Sequence, residues 1–193
     1  MLGLKLPTDP RWVDVASKNL EEILVDHAYC EQKAASSGIS LIVQYPDREK
    51  LVAVLTDVVT EEWNHFERVL AQLRERGMKL GRQRKDEYVV ALSQHVRKGG
   101  HPDEQFLDKL LMCALIEARS CERFRILSKE IDDEGLREFY HELMISEAGH
   151  YVTFVDLAKE YLPHEMVKSR LDEMLQIEAE IIHSLEVRGD RMH

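Results

Sequence analysis

Residues 136–161 read LREFYHELMISEAGHYVTFVDLAKEY, and the fold turns on how this stretch is spaced. Taken in steps of four and three, Leu136, Tyr140, Leu143, Glu147, His150, Phe154, Leu157 and Tyr161 fall on one seam of an α-helix. Only Glu147 and His150 in that seam are strongly polar. A helix that turns this face inward buries a carboxylate and an imidazole side by side, at a cost of several kcal/mol for an uncompensated charge. A cation between them offsets that cost.

The same layout occurs upstream, where Leu51, Leu55, Val58, Glu62, His65 and Val69 share a seam with a second Glu-x-x-His pair. Two more helical seams carry one inward carboxylate each: Glu31 among Leu20, Leu24, His27 and Ala34, and Glu117 among Phe106, Leu110, Cys113, Ser120 and Phe124. Glu31 precedes Glu62 by 31 positions and Glu117 precedes Glu147 by 30, so each lone glutamate meets its Glu-x-x-His partner at one level of an antiparallel hairpin. The two halves are pseudo-repeats. One glutamate from each of two helices and Glu-x-x-His from each of the other two is the pattern of carboxylate-bridged di-iron or di-manganese centres in ferritin-like bundles. The expected metal ligands are therefore Glu31, Glu62, His65, Glu117, Glu147 and His150.

Glu-x-x-His alone is a weak signal, because a chain with 23 glutamates and 9 histidines contains four such pairs. Glu138-His141 and Glu180-His183 lack a glutamate 30 or 31 positions upstream and read as solvated helix faces, although Asp108 does lie 30 before Glu138. His27, one turn before Glu31, reads as a hydrogen-bonded core histidine or as a group that orients a ligand. Cys113 and Cys121, one turn either side of Glu117, read as small buried hydrophobes without a catalytic role.

The remaining chain agrees with an all-α fold. Glycine (9) and proline (5) are scarce in 193 residues, which favours helix over sheet. Thr8, Asp9 and Pro10 signal a helix start, and Asn19 with Glu22 resembles a capping box opening a helix from about Asn19 to Ser37, interrupted at Gly38. Asp47 is positioned to cap a second helix reaching Arg76. A crossover over residues 77–102 contains a short helix from Asp86 to Lys98 and breaks at Gly99-Gly100-His101-Pro102. Helices over about 103–130 and 135–161 form a second hairpin, and Pro163 opens a last helix toward Glu186. Two hairpins joined by one long crossover match the ferritin-like connection, and residues 1–193 are expected to form a single domain. The odd, scattered cysteines Cys30, Cys113 and Cys121 fit a reducing cytoplasm. The opening MLGLKLPTDPRW lacks a signal-peptide core, and no run of about 18 apolar residues exists, so neither export nor a membrane span is expected.

Hard oxygen donors and a high coordination number suit iron or manganese better than zinc. Such a centre supports O2-dependent attack on a C–H bond, and equally iron storage or peroxide reduction. A closed storage shell would be needed for the second, and a rubrerythrin-like peroxidase would carry paired CxxC motifs that are missing here. The crossover adds a further clue. Arg74, Arg76, Lys79, Arg82, Arg84 and Lys85 stand against Glu75 alone, with Arg97 and Lys98 following, in a chain of net charge −10. This concentration of cations points to phosphate binding.

The segments LGLKLPTDPRW, DHAYCEQKAA, TEEWNHFERV, LGRQRKDEYV, LIEARSCERF and ISEAGHY together resemble MiaE, a family of non-haem di-iron tRNA hydroxylases, over nearly the whole chain. The resemblance implies O2-dependent hydroxylation of the isopentenyl side chain of 2-methylthio-isopentenyladenosine beside the anticodon. It implies two iron ions on the six ligands above, an external two-electron reductant delivered by a donor protein or reductase, and tRNA as partner. A monomer or dimer is expected, and an exposed anticodon loop suits a protein that reads unstacked bases and backbone shape.

Overall fold

The computed structural model describes residues 2–193 and is all-helical, with seven helices and no strands among them. In chain order these are α1 (Arg11–Ser17), α2 (Leu20–Gln44), α3 (Glu49–Glu75), α4 (Glu87–Ser93), α5 (Pro102–Glu130), α6 (Glu134–Tyr161) and α7 (His164–Ser184). None is long and apolar enough to cross a membrane. The chain divides into two compact units. One comprises Asp14–Lys85 with Arg188–Met192, and the other comprises residues 2–13, Asp86–Val187 and His193.

In the first unit, α2 packs on α3 as a hairpin. The seam of α3 is buried as its periodicity requires: Leu51, Leu55, Val58, Glu62, His65 and Val69 all lie inside. Gly38 does not interrupt α2, which continues six residues further to Gln44. The glycine instead allows close approach, since a Cβ there would come within 2.6 Å of Val59 Cγ2. Asn19 does not build a capping box either. Its side-chain amide donates to the Val15 carbonyl at 2.8 Å, finishing α1 rather than starting α2. Arg48, not Asp47, occupies the cap position of α3, with no side-chain cap bond.

This unit is completed from the far end of the chain. The Met192 N–H donates to Asp26 Oδ2 at 2.7 Å, and the Met192 side chain is fully buried. Gly189 lies so close to α1 that a Cβ would overlap the Val15 carbonyl and side chain. Gly189→Ala should therefore act as overpacking against backbone and lower stability by about 1–3 kcal/mol. A thermal melt indistinguishable from wild type would contradict that packing.

In the second unit, α5 and α6 form the other hairpin, and α7 packs on α4, α5 and α6. Three starts are built by side chains. Asp86 accepts from Val89 N–H at 3.0 Å, Asp133 from Leu136 N–H at 3.0 Å, and His101 Nδ1 from Asp103 N–H at 3.2 Å. The short crossover helix stops at Ser93, ahead of the expected Lys98. Arg97 then turns inward: its guanidinium and N–H meet the buried Asp108, which also binds Arg170 at 2.8 Å. Burial alone would raise the Asp108 carboxyl, but hydrogen bonds from Arg97 and Arg170 outweigh it and hold the group below its ordinary range.

A second buried ion network ties the N-terminal segment to α5 and α7. Arg119 is wholly buried, and all five of its N–H donors are used. Nε and Nη2 reach Glu178 Oε1 at 2.9 and 2.7 Å, Nη2 also reaches the Leu6 carbonyl at 3.0 Å, and Nη1 reaches Thr8 Oγ1 at 3.2 Å and the Glu122 carboxylate. Glu122 in turn accepts the Thr8 hydroxyl at 2.6 Å and its N–H at 3.2 Å. Arg123, buried with its guanidinium 4.6 Å from the Trp12 ring centre, supplies the second cation. Burial, followed by the nearby Arg119 charge, pushes Arg123 down to about 10.

Candidate metal centre

Each unit gathers one of the two expected triads. On α2 and α3, the donor atoms of Glu31, Glu62 and His65 lie within 4.8 Å of one another, and all three side chains are buried. His65 Nδ1 stands 3.5 Å from Glu31 Oε2 and 3.8 Å from Glu62 Oε2. The levels match because the connection between the helices lets the lone glutamate of one face the Glu-x-x-His turn of the other. On α5 and α6, the donor atoms of Glu117, Glu147 and His150 also lie within 4.8 Å of one another and are buried, with His150 Nδ1 3.3 Å from Glu147 Oε2. The α5 seam places Phe106, Leu110, Ser120 and Phe124 inside beside Glu117, and α6 does the same around Glu147 with Leu143 and Phe154.

Two carboxylates held within 4.8 Å repel by about 3 kcal/mol at an effective dielectric of 20. A divalent cation turns that repulsion into attraction, and two carboxylates balance its charge. The donors are hard oxygens and imidazole nitrogens without a thiolate, which fits iron or manganese better than a closed zinc cage. The buried carboxylate–histidine clusters thus have the composition of a metal site.

His27 is more than a core histidine. Fully buried, it holds Glu31 Oε1 through Nε2 at 2.6 Å, fixing the orientation of that carboxylate from one turn away on α2. The i, i+4 spacing on an apolar face was the available signal. His27→Phe should loosen Glu31 and weaken metal binding by about 10–100-fold, with His27→Gln retaining part of it. Equal metal affinity in the Phe variant, measured by competition with a chelating dye, would remove His27 from that role.

The other two Glu-x-x-His pairs are separated from these by exposure, since Glu138, His141, Glu180 and His183 all face solvent. Cys121 is buried, its thiol donates to the Met144 carbonyl at 3.2 Å, and burial pushes it up to about 11. Such a thiol is a poor nucleophile at neutral pH. Cys113 is half-buried.

The basic residues of the crossover divide into two kinds. Arg74, Lys79, Arg82, Lys85 and Lys98 are exposed. Arg84 and Arg97 are committed to internal partners: Arg84 to Glu22 and to the Glu22 and Asp190 carbonyls, Arg97 to Asp108 and Glu104. Arg76 bonds Gln72 at 2.6 Å along its own helix. Two arginines that clustering in sequence did not reveal, Arg188 and Arg191, belong to the same unit as Arg84.

Comparison with known proteins gives these features a family. The description tRNA-(MS[2]IO[6]A)-hydroxylase (MiaE) matches residues 2–193. The chain is 36% identical over 181 residues to the tRNA 2-(methylsulfanyl)-N(6)-isopentenyladenosine(37) hydroxylase of Pseudomonas putida, covering 94% of this chain and 87% of that protein. With the Salmonella typhimurium enzyme of the same name it shares 27% identity, over 94% of this chain and 84% of the relative. Among solved structures, a Synechococcus protein titled "Protein 43 with aldehyde deformylating oxygenase activity" superposes with a TM-score of 0.93 at 35% identity, covering 98% of this chain and 94% of its own. The ferritin-like, all-α class expected from the helix seams is the class of this fold. With a match that runs through both triads and from end to end, the chain belongs to the MiaE family of tRNA hydroxylases.

Proposed function

We propose that this chain hydroxylates the isopentenyl side chain of 2-methylthio-N6-isopentenyladenosine beside the anticodon of tRNA, with Glu31, Glu62, His65, Glu117, Glu147 and His150 as the ligands of two iron ions. The observation that carries this reading is the pair of buried Glu, Glu, His triads in a chain that matches a tRNA hydroxylase family from residue 2 to 193. When bound, paired iron supplies the redox chemistry that lets O2 oxidise an unactivated C–H bond. One oxygen atom enters the product as hydroxyl and the other leaves as water, so two electrons and two protons come from an external reductant, an electron-donor protein or reductase.

The chain's own residues do the remaining work. The four carboxylates neutralise the metal charge, and the two imidazoles complete the donor set. His27 holds Glu31 in one orientation. Apolar neighbours on the same seams, Leu55, Val58, Val69, Leu143 and Phe154, keep water from the ligands and confine oxidation to the bound side chain. The exposed cations of the crossover, Arg74, Lys79, Arg82, Lys85 and Lys98, supply attraction for tRNA phosphates in a chain of net charge −10. A cytoplasmic, monomeric or dimeric enzyme suits such a substrate.

The likeness to the Synechococcus protein favours one second reading, an aldehyde deformylating oxygenase activity. Iron-loaded, reduced protein with O2 should convert the modified nucleoside in tRNA to its hydroxylated form, read by nucleoside mass spectrometry. A medium-chain aldehyde in a parallel reaction should be left intact. Absence of hydroxylated nucleoside under verified iron loading would overturn the tRNA reading, and aldehyde turnover in its place would establish the other.

A further inference from the structure

The tail of the chain carries charge that no motif of the metal site uses. Arg188 and Arg191 lie more than a hundred residues after Arg84 and Lys85 of the crossover, yet the fold sets them beside these two. Arg84 Nη2 donates to the Asp190 carbonyl at 3.2 Å and to the Glu22 carbonyl at 2.7 Å. Arg191 Nε donates to the Lys85 carbonyl at 3.2 Å. Beneath them, the bond from Met192 to Asp26 and the contact of Gly189 with Val15 anchor the strap. These are bonds to main chain as well as side chain, so the two segments are held in a set register.

In this cluster Arg84 pairs with Glu22, Arg188 and Arg191 both pair with Asp190, and Arg82 and Lys85 flank Arg84 in the chain. Asp190 is shared: Arg188 grips both its oxygens at 3.0 Å through Nε and Nη2, and Arg191 Nη1 reaches one at 2.8 Å. Those bonds hold the Asp190 carboxyl below its ordinary range, with Arg188 the largest contributor. Even so, Arg84 feels burial first and then the repulsion of Arg191 and Arg188, which together lower it. Cations crowded beyond what their carboxylates neutralise gain from an added anion.

We propose that the strap Arg188–Met192 and crossover residues 82–85 form one ridge that binds the phosphate backbone of the RNA substrate, with Arg82, Lys85 and Arg188 on phosphates. Arg84 and Arg191 are positioning residues that join the segments. The exposures divide the roles: the Arg188 side chain is 40% accessible, against 12% for Arg191, and Arg82 and Lys85 are exposed. A row of cations contributed by two segments suits a polymer of phosphates better than a single small anion. This inference rests on the tRNA reading above and goes beyond it by placing the contact partly on the C-terminal strap.

The test uses a fluorescent anticodon stem-loop carrying the modified adenosine, titrated with full-length iron-loaded protein at several KCl concentrations. Arg188→Ser should weaken binding and reduce the slope of log affinity against log salt by about 0.7–0.9, the loss of one phosphate contact. Arg188→Lys should restore the slope, and Arg188→Glu should weaken binding further. Because a change at Arg188 also touches Asp190, the double variant Arg82→Ser, Lys85→Ser, which alters two exposed side chains, is measured beside it and should lose about two contacts' worth of slope. Wild-type affinity and slope in both Arg188→Glu and the double variant would overturn the ridge while leaving the tRNA reading intact. A wild-type protein that neither binds nor hydroxylates the stem-loop would overturn both.

Discussion

Glu147→Ala is expected to abolish hydroxylation and to lower the iron content, whereas Glu138→Ala, one of the exposed Glu-x-x-His positions, should leave both unchanged. The contrast follows from where the two glutamates lie. Glu147 is buried with Glu117 and His150 around it, while Glu138 faces water, where a carboxylate and a histidine gain little by sharing a cation. In the proposed centre, Glu62→Ala should behave as Glu147→Ala does, because each removes a carboxylate from one triad. Iron content by elemental analysis should fall from about two equivalents to one or none. Thermal melts offer a readout independent of turnover. Iron at a hundredfold excess over its Kd stabilises the wild type by about 2.7 kcal/mol, worth about 5–10 °C for a chain of this size. The Glu62 and Glu147 variants should show no such gain. Retention of iron by both variants would move the metal away from these residues.

Arg119→Met should be the most destabilising single substitution outside the Glu, Glu, His triads. Arg119 sits in the interior with five donors satisfied by Glu178, Glu122, Thr8 and Leu6. Removing the cation leaves Glu178 and Glu122 buried with too little positive charge, a loss of about 3–5 kcal/mol and a Tm lower by about 6–20 °C. The double variant Arg119→Met, Glu178→Leu should recover part of the loss, because an apolar pair of similar volume carries no desolvation cost.

The pH dependence gives a second check. Burial already raises the Glu178 carboxyl, against the opposing pull of Arg119, and loss of Arg119 raises it further. An acid whose folded pKa lies above its unfolded value of about 4.3 destabilises the fold at high pH. That cost disappears as pH falls through the folded pKa toward the unfolded one. The deficit of Arg119→Met relative to wild type should therefore narrow on mild acidification. A Tm within about 1 °C of wild type at neutral pH would mean that the network is dispensable.

The two buried Glu, Glu, His triads were legible in the sequence because helical periodicity converts spacing directly into facing. Glu147 and His150 share a seam with Leu143 and Phe154, and a residue three or four positions away on a helix lies on the same side whatever the rest of the chain does. The offset of Glu31 from Glu62, matched by that of Glu117 from Glu147, then aligns levels across each hairpin. Helix ends are less legible. Gly38 looks like a stop by composition but serves close packing against Val59, and Asn19 spends its side chain on α1. Capping signals depend on a few local bonds, and neighbouring structure competes for the same groups.

By itself the sequence determined the all-helical class, the two hairpins, the identity of the buried carboxylates and histidines, and membership of a tRNA-modifying family. All of these rest on local spacing or on residue patterns that extend along the chain. The solvated faces of Glu138 and Glu180 were legible too, for want of a partner glutamate upstream, whereas only the tertiary structure decided that His27 grips Glu31. It also decided that Arg97 is spent on Asp108, and that Arg84 joins the crossover to a strap ending at Met192. A charge run shows where cations lie along the chain, but whether each meets water or a partner depends on segments as distant as the C-terminal strap. The physical reason is that an ion pair between Arg84 and its partners is made in space, by folding energy that no periodicity records.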